Sequence, residues 1–181
     1  EFALSRKDPE YVGRAKEVQK AQKAVEADTC PGDALPEIHP VMDTIRATFS
    51  DVNRSNVGFG STIFAVKPGD GSAREQAASC QKVLGGWANI ANEYATKRYR
   101  SNLINWGMIP FVIDQGDLPF HNLDYLFVPK IREAIADGKT EFEAYVVKDG
   151  ALKPFTLRMG ELTPDEKDII LKGCLINYYR G

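Results

Sequence analysis

The sequence predicts an α/β protein: a parallel or mixed sheet with flanking helices, a helical arm before it, and a hairpin plus a helix after it. Three β-rich apolar runs predict buried strands, at 61–67, 87–92 and 108–113. Helical patterns at 73–84 and 96–106 separate these strands. Two successive strand–helix–strand units imply parallel pairing with helices packed on the sheet.

Helical patterns precede this core. Residues 8–27 predict a helix, with Asp8 as its cap and Pro9 in its first turn. Its apolar positions recur every three or four residues, at Val12, Ala15, Val18, Ala21 and Val25. A loop over 28–37 and a short helix over 38–50 follow. We expect an N-terminal helical segment at 1–58 and an α/β core with its C-terminal extension at 59–181, together forming one domain.

The C-terminal part predicts a helix, a hairpin and a last helix. The first helix lies within 124–137 and ends at Gly138. Two β-runs, 141–147 and 151–157, flank Asp149-Gly150, a dipeptide typical of hairpin turns. Thr163 is expected to cap the last helix, because a proline follows it at the first helical position.

Composition excludes several classes of function. The 181 residues carry a formal net charge of −2, so no broad basic field exists to bind nucleic acid. No run of 18 apolar residues and no signal peptide is visible, so no membrane partner is expected. Three distant cysteines favour a cytoplasmic protein and argue against a complete metal site in this chain. His39 and His121 are isolated and are interpreted as turn or surface residues.

The segment GDGSAREQ, residues 69–76, allows two interpretations. Ser72 and Glu75 have the spacing of a capping box, in which each side chain accepts a hydrogen bond from the backbone N–H of the other residue. Alternatively, a strand, a glycine turn and a helix start bring several N–H groups to one point, which favours anions. The motif is neither a P-loop nor a dinucleotide-binding Gly-x-Gly-x-x-Gly, since position 74 is arginine.

The anion-binding interpretation has a definite chemistry. The planar guanidinium of Arg74 can hold a carboxylate through two hydrogen bonds. The hydroxyl of Ser72 would lie in a field that favours its alkoxide, although strong preorganised donors are needed to make serine a usable base.

A longer pattern surrounds this motif. It begins with Gly69, Gly71, Ser72, Arg74 and Glu75, continues with Leu84-Gly85, Ala88, Ile90 and Tyr94, and ends with Asn102-Leu103 and Gly107-Met108-Ile109-Pro110. This order and spacing resemble the C-terminal swivel domain of the aconitase superfamily, and most of all the aconitase-like bacterial hydratases. The small subunit of isopropylmalate isomerases is a related protein. The resemblance implies the swivel-domain fold and a hydro-lyase that acts on a hydroxy di- or tricarboxylic acid.

The resemblance also implies roles for matched residues. Ser72 stands at the family's catalytic base, and Arg74 at an arginine that binds a substrate carboxylate. Gly71 and the backbone of Ala73 stand where main-chain donors face the substrate. Arg54 is a candidate for the second substrate arginine. Ala73 departs from the pattern, because the family has a second serine there.

A cofactor and a protein partner are implied in the same way. The family's [4Fe–4S] cluster is held by three cysteines of other domains, and none of Cys30, Cys80 or Cys174 lies in that motif. The chain alone is therefore expected to be inactive and to work with cluster-bearing domains of the same protein. Its start at Glu1-Phe2 resembles mid-chain sequence, so we expect a fragment of a longer protein.

Two alternatives remain open. The chain could be a stand-alone small subunit that pairs with a cluster-bearing large subunit, as in isopropylmalate isomerases. It could also be a non-catalytic module that binds an anion or RNA, since KRYRSN at 97–102 mixes basic and aromatic residues. The acidic balance of the chain disfavours nucleic acid. The sequence does not identify the acid that serves as substrate.

Overall fold

The structure, a computed structural model, describes residues 8–180. Its helices are α1 Tyr11–Glu26, α2 Pro31–Ala34, α3 Ile38–Thr48, α4 Arg74–Val83, α5 Lys97–Asn105, α6 Ile131–Ala136, α7 Pro164–Lys172 and α8 Leu175–Tyr179. Its strands are β1 Ser61–Ala65, β2 Gly86–Ala91, β3 Ile109–Val112, β4 Tyr125–Phe127, β5 Glu141–Lys148 and β6 Ala151–Arg158. Helices precede the sheet, alternate with its first three strands and close its C-terminal end.

The six strands form one mixed sheet in the order β1-β2-β3-β6-β5-β4. The first three strands are parallel, as the strand–helix–strand pattern predicts. The C-terminal hairpin joins β3 through a single antiparallel pair, Val112 with Arg158. The predicted α/β class with a parallel or mixed sheet is confirmed, and the hairpin makes the sheet mixed.

Three apolar clusters lie within residues 8–180, and two of them explain how the arm and the sheet fit together. One lies on the sheet and includes Ile90, Phe111 and Leu157, each at most 4% exposed. The other joins the N-terminal helices to the hairpin, where Ile38 and Met42 pack in one cluster with Val147 of β5. Burial of such side chains contributes about 1.5–3 kcal/mol each. The helical arm is therefore docked on the antiparallel half of the sheet.

Local predictions fail at several places, among them the loop expected over 28–37, which contains α2. Strand β4 was not predicted, and the helix expected within 124–137 covers only Ile131–Ala136. Three residues are too few to show alternation, and β4 exists because it pairs with β5, for example Phe127 with Tyr145. The cap of α1 also differs. Glu10, and not Asp8, directly precedes the helix, and the Asp8 carboxylate accepts a hydrogen bond from the Glu10 N–H at 3.1 Å.

The predicted hairpin turn is confirmed. Asp149 and Gly150 both have positive φ, 52° and 70°, as a two-residue type I′ turn requires. Lys148 and Ala151 pair on either side of the turn. Asp-Gly satisfies this geometry because glycine has no Cβ and the short polar side chain of aspartate tolerates the left-handed region.

Thr163 caps α7 in the way the sequence predicts. Its hydroxyl accepts from the N–H of Glu166 at 3.2 Å, and the Glu166 carboxylate accepts from the N–H of Thr163 at 2.9 Å. We expect Thr163→Ala to lower the free energy of unfolding by about 0.5–2 kcal/mol, because the helix loses a cap. Urea titration followed by circular dichroism measures this loss. An unchanged midpoint would contradict the role of the cap.

None of the helices within residues 8–180 is both long enough and apolar enough to cross a bilayer.

Candidate functional site

The segment 66–73 connects the end of β1 to the start of α4. It borders a cavity of about 260 Å³, whose lining residues are Pro68, Gly69, Gly71, Ala73, Arg74, Ala77 and Tyr99. Strand ends that precede helix N-termini are common positions for ligands in parallel sheets. The predicted motif thus borders a concave site.

Gly69 lies directly on Tyr99 of α5. Its φ is +100°, and a Cβ at this position would lie 2.5 Å from the Tyr99 Cβ. Tyr99 itself is 2% exposed. Its hydroxyl accepts from Asn89 Nδ2 at 3.1 Å and from Gln81 Nε2 at 3.3 Å. Burial raises the pKa of Tyr99, so its hydroxyl stays neutral. The buried ring packs directly under the loop at Gly69.

Arg74 is oriented by the same glycine. Its Nε donates to the carbonyl of Gly69 at 3.0 Å, and Thr96 Oγ1 donates to that carbonyl at 3.5 Å. The side chain is half-buried and lines the cavity. No hydrogen bond within the described part of the chain engages its two terminal nitrogens. The guanidinium is therefore held at one edge and can donate from the other.

The capping-box interpretation of Ser72 is wrong. Helix α4 begins at Arg74, so the residue before it is Ala73, and no side chain caps the helix. Glu75 is then the second helical residue, whereas a capping box needs an acidic residue at the third. Ser72 is exposed, and its hydroxyl has no bonding partner among residues 8–180. Its neighbours Gly71 and Ala73 line the cavity, although Ser72 itself does not.

The backbone at this helix start also has free donors. An α-helix leaves its first N–H groups without intrahelical partners, and those of α4 point toward the loop. A Cβ at Gly71 would meet nothing within 4 Å, so the space beside that residue is open. Partial positive charge at the helix N-terminus adds to the charge of Arg74. These features favour an anion at this position, and the two terminal nitrogens of a guanidinium suit the two oxygens of a carboxylate.

Arg54 is not joined to this loop. It lies in the turn before β1, whereas the loop follows β1, and the intervening strand spans about 16 Å at the usual rise. Its Nε lies 3.6 Å from Asp28 Oδ1, in an exposed ion pair with the segment after α1. Of the five residues predicted from the sequence, four lie together and Arg54 lies apart.

The three cysteines occupy separate elements. Cys30 precedes α2, Cys80 lies in α4 and Cys174 precedes α8. All three are free thiols, and no donor group found within residues 8–180 contains more than one of them. The residues present do not fit a [4Fe–4S] cluster, which needs several converging thiolates.

Side chains of the basic and aromatic segment 97–102 do not form one shared surface. Tyr99 is buried under the loop, so its ring cannot stack on a base. Arg100 lies 3.6 Å from Glu166 and donates to the carbonyls of Gly160 and Glu161. Two members of the segment thus have structural roles, which removes the main argument for RNA binding.

Sequence reasoning missed Thr96 and Tyr99 as part of this site. Thr96 caps α5 by accepting from the Tyr99 N–H at 3.2 Å, and the same hydroxyl reaches Gly69. The available signal was a threonine directly before a helical pattern, which is typical of caps. Nothing in the local sequence indicated contact with residues some 27 positions earlier.

Part of the chain is similar to known proteins. Residues 48–116 match the family described as the aconitase C-terminal domain. No curated protein matches the chain. A solved structure of 3-isopropylmalate dehydratase (leuD) from Methanocaldococcus jannaschii is 23% identical, with a TM-score of 0.49, over 81% of this chain and 82% of that one. The family match covers the whole loop and agrees with the resemblance seen in the sequence: residues 48–116 are similar to the aconitase C-terminal domain.

Proposed function

We propose that this chain is the swivel domain of an aconitase-like hydro-lyase, and that it binds a hydroxy polycarboxylate for reversible dehydration. The observation that carries the proposal is the fixed orientation of Arg74. Its Nε bond to Gly69 leaves the terminal nitrogens free beside a cavity, next to a serine that caps no helix. Within this proposal, residues 1–58 and 59–181 act as one domain.

Arg74 would bind one carboxylate of the substrate. A guanidinium that forms two parallel hydrogen bonds fixes the plane of a carboxylate as well as its position. The free N–H groups of the α4 start, near Gly71 and Ala73, would donate to the same group or to a neighbouring oxygen. Ala73 has no hydroxyl, so any contact there involves the backbone alone. These donors would also stabilise the negative charge that develops when the adjacent carbon loses its proton.

Ser72 would take that proton. Its hydroxyl is exposed, is not used by the helix and stands one residue from each of two cavity-lining residues. Serine is a very weak acid, so its alkoxide needs the helix start and Arg74 nearby. The C–H electrons would form the double bond as the hydroxyl group leaves from the neighbouring carbon.

Departure of the hydroxyl needs an electrophile that the described residues do not supply. The family resemblance implies a [4Fe–4S] cluster for this purpose, held by other domains of the protein or by a large subunit. The separate positions of Cys30, Cys80 and Cys174 support an external origin for that group. Arg54 would contact substrate only in that larger assembly, because in this chain it lies before β1 and pairs with Asp28.

A dehydration assay on the complete enzyme tests the proposal. Hydroxy di- and tricarboxylates are offered one at a time, and formation of a C=C bond is followed by ultraviolet absorbance. Turnover of one acid supports the proposal and identifies the substrate. If no acid turns over although the assembled enzyme contains its cluster, and the chain still binds tricarboxylates, the fold serves binding only and the proposed reaction is wrong.

Arg74→Gln is expected to raise KM by about tenfold to a hundredfold, because a charge-assisted hydrogen-bonding pair contributes about 1.5–3 kcal/mol. The matched control is Arg98→Gln, an exposed arginine of α5. Steady-state kinetics of both variants provides the comparison. Equal KM values for Arg74→Gln and the unmodified enzyme would remove Arg74 from the substrate site.

A further inference from the structure

We propose that Cys30, Asp33 and His39 form a binding site for one zinc ion in the helical arm, separate from the loop at Gly69. One ligand atom from each side chain lies within 4.8 Å of the other two. The site joins α2 to the start of α3. Its fourth position would be open to water, since three protein ligands are present within the described part of the chain.

Local structure brings these residues together over ten positions. Cys30 is extended and precedes the single turn of α2, with its carbonyl accepting from the Asp33 N–H at 3.1 Å. The chain then turns at Pro36, whose carbonyl accepts from the His39 N–H at 3.1 Å. His39 thus enters the first turn of α3 facing back over α2.

Gly32 makes this approach possible. A Cβ at position 32 would lie 2.2 Å from His39 Nε2 and 2.3 Å from its Cε1, so any side chain there would displace the imidazole. The backbone of Gly32 is not in the left-handed region, and it occupies the second position of α2. Its conformation therefore does not require glycine. What requires glycine is the space that the His39 ring fills.

The three side chains converge without bonding to one another. Within residues 8–180, no hydrogen bond or ion pair engages the Cys30 thiol, the Asp33 carboxylate or the His39 ring. Cys30 is half-buried, whereas Asp33 and His39 are exposed. His121 differs from His39 in having an acidic partner, since its Nδ1 lies 3.7 Å from Asp124. Tetrahedral zinc ligands lie about 3.5 Å apart, given metal distances of about 2.0–2.3 Å. Small side-chain rotations would close the present separation to that value.

The donor set selects among metals. A thiolate with an imidazole suits zinc, whereas magnesium and calcium prefer oxygen ligands alone. Zinc binding would release the thiol proton of Cys30, since only the thiolate is a ligand. It would also tie α2 to α3, whose Ile38 and Met42 belong to the cluster that docks the arm on the hairpin. We therefore expect bound zinc to stabilise the arm.

Cobalt(II) titration of the metal-stripped 181-residue chain tests this site. We expect one equivalent to bind, with thiolate-to-cobalt charge-transfer absorption that zinc then displaces. Cys30→Ser should abolish that absorption. His39→Ala should weaken metal affinity by at least about tenfold, since loss of a residue that only hydrogen-bonds to a metal ligand already lowers affinity by that factor. Zinc should raise the melting temperature of the unmodified chain and not that of Cys30→Ser.

Matched controls lie elsewhere in the same chain. Cys80→Ser and His121→Ala are expected to leave both the absorption and the zinc-dependent melting shift unchanged. Circular dichroism of each variant confirms that it is folded before titration. The proposal is overturned if one equivalent of cobalt produces no charge-transfer absorption, or if that absorption survives Cys30→Ser and is lost in Cys80→Ser or Cys174→Ser.

Discussion

Ser72→Ala is expected to lower kcat of the complete enzyme by about 10²–10⁴-fold, the usual contribution of a positioned general base. Substrate affinity should remain, because Arg74 and the helix start supply the binding contacts. The free energy of unfolding should change by less than about 0.5 kcal/mol, since Ser72 is exposed and caps no helix. Stopped-flow turnover, substrate titration and urea denaturation measure the three quantities on one preparation.

Ser79→Ala is the matched control for this variant. Ser79 lies in α4, and its hydroxyl donates to the carbonyl of Gln76 at 3.2 Å. We expect it to leave kcat unchanged. Retention of full turnover by Ser72→Ala would exclude Ser72 as the base. A loss of turnover that is matched by a loss of substrate binding would instead assign Ser72 to binding.

Gly107→Ala is expected to lower the free energy of unfolding by about 2–5 kcal/mol, from backbone strain and steric overlap together. Gly107 follows α5 with a φ of +70°. A Cβ there would lie 1.8 Å from the carbonyl oxygen of Gly173 and 2.3 Å from its carbonyl carbon. Neither turn can move aside easily, because Gly173 ends α7 and itself has a φ of +89°. Urea or thermal unfolding measures the loss.

Gly150→Ala separates the two causes of that loss. Gly150 has the same φ of +70°, but a Cβ there would meet nothing within 4 Å. Strain alone should then cost about 1–2 kcal/mol. A loss in Gly107→Ala no larger than that in Gly150→Ala would show that α5 and α7 are not held against each other at this point.

Much of the fold could be predicted because its signals are local. Such signals are the apolar runs of the strands, the glycine that follows α5 (Gly107) and the threonine that caps α7 (Thr163). Each specifies the secondary structure of the residues next to it. Strand β4 could not be predicted in this way, since its three residues depend on pairing with β5. The mixed character of the sheet also depends on one long-range pair, Val112 with Arg158.

The candidate site was also predictable only in part. The spacing of Gly69, Gly71, Ser72 and Arg74 was sufficient to indicate a resemblance to the family, and residues 48–116 match the model of its C-terminal domain. The spacing did not show whether the Ser72 hydroxyl caps the helix or is free, because a capping box has the same spacing. Only the start of α4 at Arg74 excludes the box.

The sequence by itself determined the α/β class, the hairpin and the identity of the loop residues, since each follows from periodicity, turn chemistry or a contiguous motif. Only the tertiary structure decided which side chains meet. Tyr99 lies under Gly69, Arg74 is held by the Gly69 carbonyl, and His39 reaches back over Gly32 toward Cys30. Each of these contacts joins residues that are separated along the chain. Tertiary packing, and not the residues next to them in sequence, brings them together.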